Sequence, residues 1–284
     1  MVSGCQTSRG AQSARGEGVG RSLTPAVTEH TLAPGLLALK IGRGERNLLY
    51  LPGLTFDVGL PKGRERQMAA SGWDALLDRY TIYRAARRAG TASTSFAEMA
   101  DDAIMATELL GAPVDLLGFS TGGLIAYRVA ATRPDLVRRL VLVASGTKLS
   151  EYGRQGAPKA IAQIQQRTWR RAYATIMSAS AGSKFGELGL KVFAFLLGPL
   201  IFGTPSDPSQ LLAELDAWTR EDAGDLTVSV PTLVIANERD RVFAIDASRD
   251  LVGRLPDAKL IEIAGKGHGF PRNAIAQHIS PFLR

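Results

Sequence analysis

Cysteine is almost missing from this chain of 284 residues, with Cys5 the only one. A single thiol closes no internal disulfide and, without neighbouring ligands, builds no thiolate metal site. A reducing compartment is therefore allowed, and a cytoplasmic location is the expectation. Histidine is nearly as scarce, at three copies, which restricts any search for a catalytic base to His30, His268 and His278. No uninterrupted apolar run approaches the ~18 residues of a membrane span. The longest candidate, Leu188 to Phe202, contains Lys191, Gly198 and Pro199 and reads as a buried or pocket-lining helix, so no stable membrane insertion is expected. Lys+Arg total 34 against 27 acidic residues, a net charge of +7. These charges are scattered, with no zinc-finger spacing, basic aromatic stripe or helix-turn-helix, so no nucleic-acid partner is expected. The excess reads as compositional bias that favours solubility.

The remaining composition, 45% hydrophobic and 21% charged, is that of an ordinary globular protein and excludes whole-chain disorder, collagen and coiled coil. Residues 1–25 are rich in Ser, Gly and Arg and read as a disordered tail. Within it Val2-Ser3-Gly4-Cys5 resembles the small-residue box before the lipidated cysteine of bacterial lipoproteins. Because no charged segment or apolar core lies upstream, a chance match is the reading, and a lipid anchor at Cys5 is the alternative if the true start lies further upstream. Two short strands follow between Val27 and Ile41. Short apolar runs then alternate with helical patterns, as in a parallel sheet with crossover helices. The runs are Asn47–Leu51, Tyr80–Arg84, Val114–Phe119, Leu140–Ala144, Thr232–Ala236 and Lys259–Ile263. Helical patterns cover Thr94–Leu110, with Ser95 and Glu98 as a capping pair, and Leu124–Thr132, Ala244–Leu255 and Asn273–Leu283. Residues 149–227 show only helical segments and read as a cap inserted into a core formed by 26–148 and 228–284.

The sequence Gly118-Phe119-Ser120-Thr121-Gly122 is G-x-S-x-G between a strand and a helix, the context that gives the motif its meaning. In such a turn the serine backbone is strained, and small flanking residues avoid collision while the hydroxyl projects at the carboxyl edge of the sheet. A serine hydroxyl needs a base near its working pH and a group to orient that base. His268 lies in a glycine-flanked loop after the last strand run and is the expected base; His30 and His278 read as packing or surface residues. Asp240, in the loop after Thr232–Ala236, is preferred as the orienting acid over Glu238 and Asp246, the other reading being a structural pair with Arg239 or Arg241. The loop Ser145-Gly146-Thr147 contains no carboxylate, which removes the usual competitor. Asp216, Glu221, Asp222 and Asp225 read as solvated. Backbone N–H groups of Thr121 and of Leu54, in the Pro52-Gly53-Leu54 turn, are the candidate oxyanion hole.

Together these residues resemble the α/β-hydrolase superfamily from about Thr28 to Arg284. The resemblance implies a mostly parallel central sheet flanked by helices, an inserted helical cap, and nucleophile, acid and base in the order Ser120, Asp240, His268. Two departures stand out. The family's common His-Gly pair is here Pro52-Gly53, and its aspartate-containing loop is replaced by Ala85-Ala86-Arg87-Arg88-Ala89-Gly90, where Arg87 and Arg88 read as a solvated surface pair, the other reading being that they shape the pocket entrance. The expected activity is hydrolysis of an ester, thioester or lactone of a hydrophobic small molecule. Alternatives with the same residues are an acyltransferase, a cofactor-free haloperoxidase or perhydrolase, and a slow-turnover ligand-binding protein. Trp169, Tyr173, Phe193 and Trp218 are the candidate substrate-binding residues, cap core being their other reading. No metal cluster, nucleotide loop or flavin motif is present, so neither cofactor nor metal is expected, and homodimerisation is left open.

Overall fold

The computed structural model describes residues 26–56, 59–90 and 92–284. The tail expected at 1–25, and Cys5 within it, lie outside the described residues. In chain order the elements are β1 (Val27–Ala33), β2 (Leu36–Ile41), β3 (Arg46–Leu51), α1 (Gly63–Ala70), β4 (Tyr80–Ala85), α2 (Phe96–Leu109), β5 (Val114–Phe119), α3 (Thr121–Thr132) and β6 (Val137–Val143). Four helices follow: α4 (Glu151–Gln165), α5 (Trp169–Ser178), α6 (Lys184–Phe202) and α7 (Ser209–Arg220). The chain closes with β7 (Thr232–Asn237), α8 (Ile245–Arg254), β8 (Ala258–Ile263), a π-turn at Ile275–Ile279 and a short helix, α9 (Ser280–Leu283). The stretch Asn273–Leu283, expected as one helix, is helical throughout, with the π-turn at its middle.

The eight strands form one sheet in the order β1-β2-β4-β3-β5-β6-β7-β8. Pairs β1/β2 and β2/β4 are antiparallel and the rest are parallel. Strands β4 and β7 are buried at every position, which is why neither shows the in–out alternation of a half-exposed strand. One core packs beneath α2, α3 and the inserted helices. The other packs on the opposite face, beneath Trp73, Leu76, Ile275 and Leu283. Ser95 Oγ caps α2 by accepting from the Glu98 N–H at 3.2 Å, and the Glu98 carboxylate reaches back to the Thr94 N–H at 2.7 Å. The capping pair thus closes one residue earlier than a standard capping box.

Connections run from β3 out to β4 on one side and return to β5 on the other, so the strand order reverses around β3. Ligands of open α/β sheets bind outside the carboxyl ends of the strands at such a switch point. Here those ends carry Pro52-Gly53 and Ser120.

Two expectations about the inserted helices need correction. Helix α6 is not buried: only Ala194 and Gly198 of its 19 residues are buried, while Phe185, Leu188, Leu196 and Leu200 are exposed. The other half of that reading, a pocket-lining helix, holds for Phe202 and for Leu188, Val192 and Phe195, which line cavities. It rests on α5 through Gly198, where a Cβ would lie 2.7 Å from Tyr173 Cβ, and through Arg170, which donates to the carbonyls of Phe195 and Leu196. Glu221 is not solvated either. It is buried and accepts from Arg128 Nε at 2.6 Å, whereas Asp216, Asp222 and Asp225 are exposed.

Candidate active site

Ser120 sits between the last residue of β5 and the first of α3, with φ 53° and ψ −123°. That backbone is held from three directions. Ser120 N–H donates to the Val143 carbonyl at 3.0 Å, and its carbonyl accepts from Gly123 N–H at 2.9 Å and Ser145 Oγ at 2.7 Å. The flanking glycines are steric necessities. A Cβ at Gly118 would lie 2.5 Å from Gly122 O, and one at Gly122 would lie 2.0 Å from Leu51 O.

His268 Nε2 lies 2.8 Å from Ser120 Oγ, and His268 Nδ1 lies 2.8 Å from Asp240 Oδ2. The second oxygen of Asp240 accepts from the backbone N–H groups of Val242 and Phe243 at 2.8 and 3.0 Å, which fixes the carboxylate against rotation. Asp240 is only 5% exposed. Its neighbour Arg241 does not pair with it; that guanidinium lies over the Tyr152 ring and donates to Glu187 of α6 at 2.7 Å. The imidazole is stacked between Phe119 and Phe243. Its loop is braced by Asn237 Nδ2, which donates to the carbonyls of Gly267 and Gly269. His30 meets the edge of Tyr83 and His278 lies in the π-turn, both remote in the fold from this cluster.

A cavity of about 380 Å³ opens over Ser120 and His268. Leu54, Phe56, Ile176, Met177, Phe202 and Trp218 give it a largely apolar wall. Leu54 lines the cavity, and Thr121 begins α3, where first-turn N–H groups have no intrahelical partner. Of the four aromatic residues expected at substrate, Trp218 alone lines this cavity. Tyr173 is fully buried behind the wall, packed on Phe56 and Phe202, with its hydroxyl donating to the Gly203 carbonyl. Trp169 packs on Tyr173, and Phe193 lies on the outward-facing α6. These three are corrected to packing and surface positions.

Arg87 and Arg88 are not a solvated pair. Arg87 is buried and donates through Nε and a terminal nitrogen to both oxygens of Glu214 of α7, each at 2.9 Å. It also reaches the Pro52 carbonyl at 3.2 Å, while Thr121 Oγ1 donates to Glu214 at 2.7 Å. One ion pair therefore ties together the Pro52 turn, the start of α3 and the inserted helices. Glu214 escaped sequence reasoning because nothing local marks it. Arg88 is half-buried and pairs with Asp102 at 2.6 Å.

The model of the alpha/beta hydrolase family matches residues 48–276. The chain belongs to that family. Among curated relatives, a pimeloyl-[acyl-carrier protein] methyl ester esterase of Chromobacterium violaceum is 30% identical over 190 residues, covering 59% of this chain and 69% of that protein. The polyketide synthase ThaQ of Burkholderia thailandensis is 31% identical over 167 residues, which are 54% of this chain and 8% of that much longer protein. Among solved structures, the alpha/beta hydrolase MGS-M2 from a Medee basin deep-sea metagenome library aligns with a TM-score of 0.72 at 16% identity, covering 91% of this chain and 94% of its own. This hydrolase family membership, with esterases among the relatives, makes the chain a hydrolase-type enzyme.

Proposed function

We propose that the protein is a carboxylic ester hydrolase that works through an acyl-enzyme on Ser120. The observation that carries this reading is the hydrogen-bonded row Ser120–His268–Asp240 at the floor of an apolar cavity. His268 Nε2 takes the proton of Ser120 Oγ as that oxygen bonds to the ester carbonyl carbon. Asp240 accepts from Nδ1–H, which selects the tautomer with a free Nε2 lone pair and stabilises the imidazolium that forms. The carbonyl oxygen becomes an anion and is met by the N–H groups of Leu54 and Thr121. Collapse breaks the bond to the alcohol, which leaves with the proton held on Nε2. Water then enters and its oxygen bonds to the acyl carbon as its proton passes to His268; the bond to Ser120 Oγ breaks, His268 returns the proton to that oxygen, and the acid leaves.

The apolar wall suits a hydrophobic ester, thioester or lactone. Relatives named as methyl ester esterases make a small alcohol a reasonable leaving group. Screening p-nitrophenyl and methyl esters of graded acyl length tests the reading. Ser120→Ala should lose about 10⁴-fold or more in turnover; equal rates in mutant and wild type would refute it. Adding alcohol or peroxide acceptors in the same assay reports whether the acyl group goes to water, to an alcohol or to a peracid.

A further inference from the structure

Arg84 has no part in the chemistry above, yet it stands in the same cavity. It is the penultimate residue of β4, in register with Leu39 of β2 and Tyr50 of β3, and so lies at the carboxyl edge of the sheet. It is 8% exposed. Among the described residues its guanidinium nevertheless has no hydrogen bond and no ion pair, whereas Arg87, three residues on, is fully engaged by Glu214. A buried cation without a partner is costly to hold in a folded protein. Burial pushes its pKa below the ordinary arginine value; Tyr50 and Glu65 act in the opposite sense, and Arg87 adds like-charge repulsion. A guanidinium stays protonated at neutral pH even so.

The charged head is not sealed in. Arg84 lines the cavity of Ser120 and His268 and also an adjoining cavity of about 210 Å³, with Tyr50 and Glu65 as the other shared walls. Glu65, whose charge acts on Arg84 through space, is exposed and makes no ion pair with it. Tyr50 is no counter-charge, because burial pushes its hydroxyl pKa up to about 12. The catalytic cavity thus holds an apolar wall, a nucleophile and a planar cation whose five donors have no hydrogen-bond partner among the described residues, with Glu65 acting on it only through space.

We infer that Arg84 is an anion-recognition site inside the catalytic cavity, and that the preferred substrate is an ester bearing a carboxylate on its acyl or alcohol part. The two carboxylate oxygens match the guanidinium fork, which would hold the charged end while the ester lies at Ser120. This deepens the esterase reading and rests on it for the position of the scissile bond.

The test compares monomethyl and dimethyl esters of glutarate, adipate and suberate, which differ only in a free carboxylate, on wild type, Arg84→Met and Arg84→Lys. Wild type should favour one half-ester over its diester by about 10- to 100-fold in kcat/KM, mostly through KM, the range of a charge-assisted hydrogen bond. Arg84→Met should bring that ratio to about 1, and Arg84→Lys, a point charge without the fork, should leave it between. A merely structural arginine would change both esters together. In a separate arm, adipate should raise the Tm of Ser120→Ala and leave that of Ser120→Ala/Arg84→Met unmoved. A wild-type ratio near 1, a ratio preserved in Arg84→Met, or equal Tm shifts in both proteins would overturn the inference. Should Arg84→Met not fold, Arg84→Lys carries both arms. If no ester is turned over at all, the esterase reading fails while the adipate arm still decides Arg84.

Discussion

Ser120 occupies a backbone region that costs a non-glycine residue about 1–3 kcal/mol, and the hydrogen bonds from Gly123 and Ser145 keep it there. What makes the turn feasible is the absence of side chains beside it. Gly122→Ala would drive a methyl group to 2.0 Å from the Leu51 carbonyl oxygen. Neither partner is a flexible side-chain end, so β3 or α3 must shift. We expect a fall of at least about 2 kcal/mol in unfolding free energy by urea denaturation, together with near-complete loss of ester turnover. Retained activity would show that the elbow tolerates more room than its contacts suggest. This residue-scale logic was readable in the sequence, because strain, small neighbours and strand–turn–helix context are all local. The same holds for His268, singled out by scarcity and by its glycine-flanked loop. Arg84 was not readable: its meaning comes from the lack of a partner, which only the fold reveals.

Between elements the decisive contact is Arg87–Glu214, whose side chains are 6% and 1% exposed. Glu214→Ala would strand a buried guanidinium and should cost about 3–5 kcal/mol, whereas the double variant Arg87→Met/Glu214→Leu should recover most of that loss. Chemical denaturation of the two proteins checks this. Turnover should stay depressed in the double variant, since Thr121 and Pro52 lose their common anchor. No sequence pattern links positions 127 apart, which explains why Arg87 looked solvated and Glu214 passed unnoticed. A second tie, Arg241–Glu187, joins the acid loop to α6. The hydrogen bond from Arg241 holds the Glu187 carboxyl below its usual value. A carboxylate with a depressed folded pKa stabilises the fold above its unfolded pKa and loses that contribution as pH falls through the folded one. The stability gap between wild type and Glu187→Gln should therefore be present at pH 7 and shrink below the ordinary pKa of 4.5. A gap independent of pH would mean the tie is packing rather than charge.

For the molecule as a whole, periodicity set out the alternation of strands and helices well, because buried parallel strands are apolar runs bounded by turns. It left α6 open between a buried and a pocket-lining helix, and the exposed outcome was not legible because apolar composition does not say which side of a helix has a neighbour. The outward residues of α6 fill no core, so Leu196→Glu, at a side chain 55% exposed, should change unfolding free energy by no more than about 0.5 kcal/mol. A larger loss in a urea titration would mean that this face is covered by something in solution. The helical layer above Ser120 is tied to the sheet's loops at several points. Glu214 grips Arg87 and Glu187 grips Arg241. Gly182 presses on the loop of His268 so closely that a Cβ on Gly267 would lie 2.4 Å from the Gly182 nitrogen. A roof riveted in this way does not swing like a door. Guests must fit the space as built, and turnover should therefore drop sharply once the acyl chain outgrows it, rather than decline gently with length.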